Sequence, residues 1–217
     1  MRKYKTILFD LDGTLLDTIT DITNSINKTL IKYNLNIQYS TDDVCNFNGD
    51  GAKVLINRVL APFNVSTLLE NLFYQDYCNT YSAHRYDSTK PFDGIVNIIP
   101  ELIKRKYKIG IISNKPHNDT LGVVNLYFKD MFDIVYGKQD GVPPKPNPEI
   151  FYLIKDKYII NEEETLYIGD MGVDIEFAKN VKMDVCIVSY GYGKINKNIG
   201  QNYTIDKIEN LLDILED

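Results

Sequence analysis

Five short apolar runs constrain the fold of this chain more than any other feature. They are Thr6–Phe9, Ile109–Ile112, Ile134–Val135, Leu166–Ile168 and Val185–Val188, rich in β-branched residues and ending in small or polar ones. Runs without polar alternation are what strands buried on both faces look like, and parallel sheets bury both faces. Amphipathic stretches lie between the later runs: Ile95–Lys106, Asn118–Phe128, Pro148–Lys157 and Asp174–Asn180. Strand–helix alternation at this spacing predicts an α/β fold, a doubly wound and mostly parallel sheet. A chain of 217 residues fits one large domain, or one domain with an insert.

The first two runs break the rhythm, because about a hundred residues separate Asp10 from Ile109. Between them, Ile19, Ile22, Ile26, Leu30 and Tyr33 recur at intervals of three or four. Val54, Leu55, Val59 and Leu60 repeat the pattern, as do Leu68, Leu69, Leu72, Phe73 and Tyr77. Such a segment is too large for a crossover. It reads as an α-helical subdomain of residues 17–86 inserted into a core made of 1–16 and 87–217. Pro91-Phe92-Asp93-Gly94 marks the return to the core, and Tyr203 to Asp217 supplies a short strand and a last helix.

Composition narrows the partners. A net charge of −6 argues against nucleic acid or an anionic membrane surface, though not against an anionic small molecule in a locally positive pocket. Three widely spaced cysteines, Cys45, Cys78 and Cys186, form no CxxC pair, which fits a reducing cytoplasm. The apolar run after the basic N-terminus, Met1 to Lys5, is too short for a signal peptide, and no stretch approaches a membrane span.

In an open α/β sheet, ligands bind outside the carboxyl ends of the strands. The first strand ends at Asp10-Leu11-Asp12, the second at Ser113-Asn114-Lys115, and the fourth at Gly169-Asp170 with Asp174 four residues on; Lys145 sits in the loop after the third. Several carboxylates in one crevice repel each other, and bound Mg²⁺, a hard cation that prefers oxygen, removes the conflict. Asp10 and Asp170 are the natural ligands. Lys145 and the Ser113 hydroxyl would meet phosphate oxygens, and the backbone amides around Gly13 and Thr14 would add donors. One carboxylate is then left to attack and one to shuttle protons.

"DLDGT" after an apolar strand, "IISNK", the lysine of "GVPPKPNP" and "IGDMGVD" together resemble the four motifs of the haloacid dehalogenase-like hydrolase superfamily, in that family's order and along the whole chain. The helical insert lies where the family has its smaller cap. "FNGDGAKVLINRVL", "PFDGI" and "SNKP" further resemble bacterial phosphoglycolate phosphatases, with a cap turn, Asn48-Gly49-Asp50-Gly51-Ala52, one residue longer than theirs. The resemblance implies a phosphatase acting on a small phosphomonoester, 2-phosphoglycolate above all, through an aspartyl-phosphate. Asp10 would be the nucleophile and Asp12 the general acid and base. Mg²⁺ would be held by Asp10, the Asp12 carbonyl and Asp170, with Asp174 orienting its waters.

Other readings weigh differently. A pyrophosphatase or a hexose-phosphate phosphomutase shares the implied fold, whereas a dehalogenase has no need of Asp12. A receiver-type signalling module has a phospho-accepting aspartate but lacks so large an insert. Asn114 could touch phosphate or cap a helix. His84 and Arg85 read as a solvated hinge, and Arg58 as half of a surface salt bridge. The oligomeric state is not legible in the sequence.

Overall fold

The computed structural model describes residues 3–195 and 199–216. Met1, Arg2 and Asp217, counted above in the N-terminus and the last helix, lie outside them. The predicted strands form one sheet: β1 (Thr6–Phe9), β4 (Lys108–Pro116), β5 (Ile134–Lys138), β6 (Thr165–Gly169), β7 (Asp184–Val188) and β8 (Tyr203–Ile205). Their order is β5-β4-β1-β6-β7-β8, and every neighbouring pair is parallel. β1 is central: Ile7 registers with Ile109 on one side and Leu166 on the other.

Period-two geometry divides β1 between two cores. Ile7 and Phe9 join the cluster formed with α5 (Ile95–Lys104), α6 (His117–Tyr127) and α9 (Leu211–Glu216). Leu8 joins the opposite cluster with α7 (Glu149–Tyr158) and α8 (Gly172–Val181). With both faces covered, the carboxyl edge is where β1 and β6 leave the sheet, and both end in aspartates.

The insert is helical: α1 (Ile19–Lys32), α2 (Thr41–Phe47), α3 (Ala52–Leu60) and α4 (Thr67–His84). It has its own core, in which Ile22, Ile26 and Leu30 meet Leu55, Val59 and Phe73. Two of the periodic sets shift. Val54 is exposed and Ile56 is buried in its place. On α4 the inward face is Phe73, Tyr77 and Tyr81, while Leu68 and Leu72 are exposed. Three aromatics at four-residue spacing outweigh the two leucines because each buries more apolar surface. A two-residue antiparallel ladder, β2 (Leu16–Asp17) with β3 (Lys90–Pro91), ties the two ends of the insert together and has no counterpart in the sequence reading. No helix among the described residues is long and apolar enough to cross a membrane.

Candidate active site

The ladder of β1 continues one step past the strand, with the Asp10 N–H donating to the Ile168 carbonyl at 2.8 Å. That bond fixes Asp10 beside β6. The chain then folds over itself: the Leu15 and Leu16 amides donate to the Leu11 carbonyl, and the Gly13 amide donates to the Leu16 carbonyl, each at 2.9 Å. Gly13 has φ +87°, and a Cβ there would lie 2.4 Å from the Asp170 Oδ2, so only glycine lets the turn approach this closely.

Asp170, at the end of β6, is fully buried. Its Oδ1 accepts from the Thr14 hydroxyl at 3.1 Å, and its Oδ2 from the backbone amides of Tyr192 at 2.8 Å and Gly193 at 3.3 Å. Asp174 stands behind it. Its Oδ2 accepts from the amides of Asp170 and Met171, which closes the first turn of α8, and its Oδ1 accepts from the Lys145 ammonium at 2.8 Å. Lys145 also reaches the Tyr167 hydroxyl at 2.7 Å and lies 3.0 Å from the Asp10 Oδ1.

Three carboxylates, Asp10, Asp170 and Asp174, thus bring oxygens within 4.8 Å of one another. Asp10 and Asp174 share one buried ammonium, that of Lys145, which leaves negative charge in the group uncompensated. Burial pushes the Asp10 carboxyl up to about 6 despite the opposing pull of Lys145. Burial, then Asp174 and Asp10, holds the Asp170 carboxyl well above the usual range. Burial works against the Lys145 charge, but Asp10 and Asp174 outweigh it and keep that lysine well above its ordinary value. The Asp10 Oδ1 is buried and makes no hydrogen bond of proper geometry. An all-oxygen donor set, excess negative charge and a buried carboxylate oxygen without a hydrogen bond fit a hard divalent cation.

Above this group lies a cleft between sheet edge and insert, lined by Asp10, Asp12 and Ser113 from below and by Leu55, Tyr77 and Tyr81 from the helices. Asp12 does not join the three clustered carboxylates. Both its oxygens accept from the Lys115 ammonium at 3.0 Å. The Ser113 hydroxyl accepts from the Lys115 amide at 3.3 Å at the cleft wall.

Three sequence expectations change. The amides of Gly13 and Thr14 donate inside the turn, to Leu16 and Leu11, and begin no helix, so they are not aimed at phosphate. The contribution of Thr14 is its hydroxyl on Asp170. The Asn114 side chain is fully engaged: its Oδ1 accepts from the Lys145 amide at 2.7 Å, and its Nδ2 donates to the Lys145 and Gly49 carbonyls. It is a brace between the lysine loop and the insert rather than a phosphate contact. Arg85 is not solvated. It pairs with Asp119 of α6 at 3.1 Å and so joins insert to core, whereas Arg58 does form the expected salt bridge, with Asp50.

The sequence reading also passed over the loop Tyr190-Gly191-Tyr192-Gly193, which wraps Asp170. A Cβ at Gly191 would lie 2.4 Å from the Gly13 carbonyl oxygen. Two glycines flanking an aromatic just past a strand are the signal that was there to be read.

This geometry matches known proteins. A family model described as haloacid dehalogenase-like hydrolase covers residues 7–188. A phosphoglycolate phosphatase of Aquifex aeolicus is 28% identical, over 98% of this chain and 97% of its own. Pyrophosphatase PpaX of Oceanobacillus iheyensis is 30% identical over the same shares. A crystal structure of a predicted phosphoglycolate phosphatase from Haemophilus somnus superposes with a TM-score of 0.91 at 26% identity, covering 99% of both chains. The chain belongs to the haloacid dehalogenase-like hydrolases, and is an enzyme whose relatives are phosphatases.

Proposed function

We propose that this hydrolase is a Mg²⁺-dependent phosphatase that cleaves a small phosphomonoester through an aspartyl-phosphate, with 2-phosphoglycolate the substrate best supported by its relatives. The observation that carries the reading is Asp10: a carboxylate at the end of the central strand, flanked by Lys145 and Asp170, opening onto the cleft beneath the insert. In the first step an Asp10 oxygen attacks phosphorus, the ester P–O bond breaks, and Asp12 gives its proton to the departing alkoxide. In the second, Asp12 takes a proton from water, the hydroxide attacks phosphorus, and the Asp10 carboxylate leaves. Lys145 and the Ser113 hydroxyl stabilise the phosphoryl oxygens as charge develops. Asp10 and Asp170, with the Asp12 carbonyl, would hold Mg²⁺, which when bound neutralises these carboxylates and the phosphoryl group. Asp174 positions Lys145 and the loop of Asp170, and would orient the waters of the bound metal.

Residues 17–86 act on this reading as a cap over a core of 1–16 and 87–217, gating access and excluding bulk water during turnover. Three free cysteines support a cytoplasmic setting. The test is release of inorganic phosphate from a panel of 2-phosphoglycolate, sugar phosphates, nucleotides and pyrophosphate, with Mg²⁺ or with EDTA. Hydrolysis that requires Mg²⁺ is expected, and no turnover of any member would refute the proposal. Preference for pyrophosphate would favour the second reading, which the relative named Pyrophosphatase PpaX supports.

A further inference from the structure

Lys115 has no part in the reaction above, yet it is buried at the floor of the cleft. Its ammonium makes three bonds: one to each oxygen of Asp12, and one to the hydroxyl of Tyr81 on α4 of the insert. Among the described residues lining the cleft, the other charged side chains are acidic, Asp10, Asp12 and Asp119, and much of the remaining wall is apolar, with Ile22, Leu55 and Tyr77.

This arrangement bears on the role of Asp12. A general acid and base has to present an oxygen to the leaving group and then to water, and here one ammonium bridges both oxygens. For Asp12 to turn freely towards them, something on the substrate has to draw Lys115 away. A neutral alcohol cannot, because that would leave a buried ammonium short of its counter-charge, which is costly. A second anionic group can, since the ammonium then exchanges one anion for another and is never unpaired. Tyr81 supplies the fixed point during the exchange, holding the ammonium from the insert side while its other donors turn.

We propose that Lys115 is a specificity-determining residue that trades Asp12 for a second anionic group on the substrate, freeing Asp12 only when such a group is present. The assignment rests on the phosphatase reading of the site. It selects phosphate esters or anhydrides whose leaving portion carries a carboxylate or a further phosphate within a few atoms of the scissile bond. Ser113, two residues earlier on the same strand, lines the same cleft, so a small substrate can meet both.

The experiment compares kcat/KM for 2-phosphoglycolate and for pyrophosphate with that for ethyl phosphate, whose leaving portion is uncharged. The native enzyme, Lys115→Met and Lys115→Arg are measured side by side. Taking ratios cancels any general loss of folding or of Asp12 function. The native enzyme should prefer a doubly anionic substrate, and Lys115→Met should reduce that preference roughly 30-fold or more. Lys115→Arg, which keeps the charge, should retain most of it. Preference for 2-phosphoglycolate alone identifies the carboxylate as the partner, and preference for pyrophosphate the phosphate. Turnover without such a preference, or a ratio that Lys115→Met leaves unchanged, overturns the assignment while sparing the phosphatase reading. If the native enzyme hydrolyses none of the three, the phosphatase reading falls and this assignment with it.

Discussion

Replacing Asp10 by asparagine should bring hydrolysis to the assay floor and, in the absence of metal, make the protein more stable. Asp10 is only 8% exposed, and burial raises its carboxyl from 3.8 to about 6. The native protein therefore holds this proton more tightly than the unfolded chain does. Stability falls as the pH climbs from 3.8 towards 6, and above that it stays reduced by a constant amount. At about 1.36 kcal/mol per pH unit, that penalty is about 3 kcal/mol. Asparagine carries no charge at any pH and is spared it. For a chain of this size about 1 kcal/mol moves Tm by roughly 2–4 °C, so Asp10→Asn should melt about 6–12 °C higher than the native protein at pH 7.5 in EDTA. The gap should shrink to about half at pH 5, where the native carboxyl is largely protonated. Adding Mg²⁺ should raise the native Tm and narrow the gap from the other side. Thermal unfolding followed by circular dichroism at both pH values, with EDTA or Mg²⁺, reads all of this. A variant no more stable than the native protein at pH 7.5 in EDTA, or a gap indifferent to pH, would refute the reasoning.

Two further substitutions test the supports of the site. Asn114→Ala removes both side-chain bonds to the Lys145 backbone and the one to Gly49, so it should cost about 1–3 kcal/mol in thermal unfolding and lower kcat more than it raises KM, because Lys145 loses its brace. The Tyr192 hydroxyl accepts from the Thr18 amide at 2.6 Å and the Ile19 amide at 3.1 Å, at the start of α1. Tyr192→Phe should therefore lower Tm by a few degrees, equally with and without Mg²⁺, because the bonds to Asp170 come from the backbone; a loss seen only with Mg²⁺ present would contradict this.

What could be read from the sequence was whatever local pattern dictates. β1 is legible because an apolar run stops at an aspartate, and the insert because helical periodicity fills a gap too long for a crossover. Polar strand ends converge because parallel topology sends them to one edge. What could not be read depends on where a backbone goes in three dimensions. The amides of Gly13 and Thr14 could serve phosphate or the turn, and only the fold of Leu11 to Leu16 decides. Asn114 finds its partners 31 and 65 residues away. The β2–β3 ladder is two residues long, too short to show a period. The glycines around Tyr192 mark a tight loop, but that its amide grips Asp170 depends on the path of the backbone.

That small ladder has a consequence for how such a protein can change. Leu16 pairs with Pro91 and Asp17 with Lys90, so the insert leaves and re-enters the core through two adjacent backbone strands. Seen from the sheet, some seventy residues amount to an elongated hairpin loop, and their replacement need not disturb any of the six parallel strands. Natural variation can then rewrite the roof of the cleft, with its Tyr77 and Tyr81, without touching the aspartates beneath it. A laboratory graft of another protein's insert between Asp17 and Lys90 has the same licence: new substrates by exchange of one loop, with inherited chemistry.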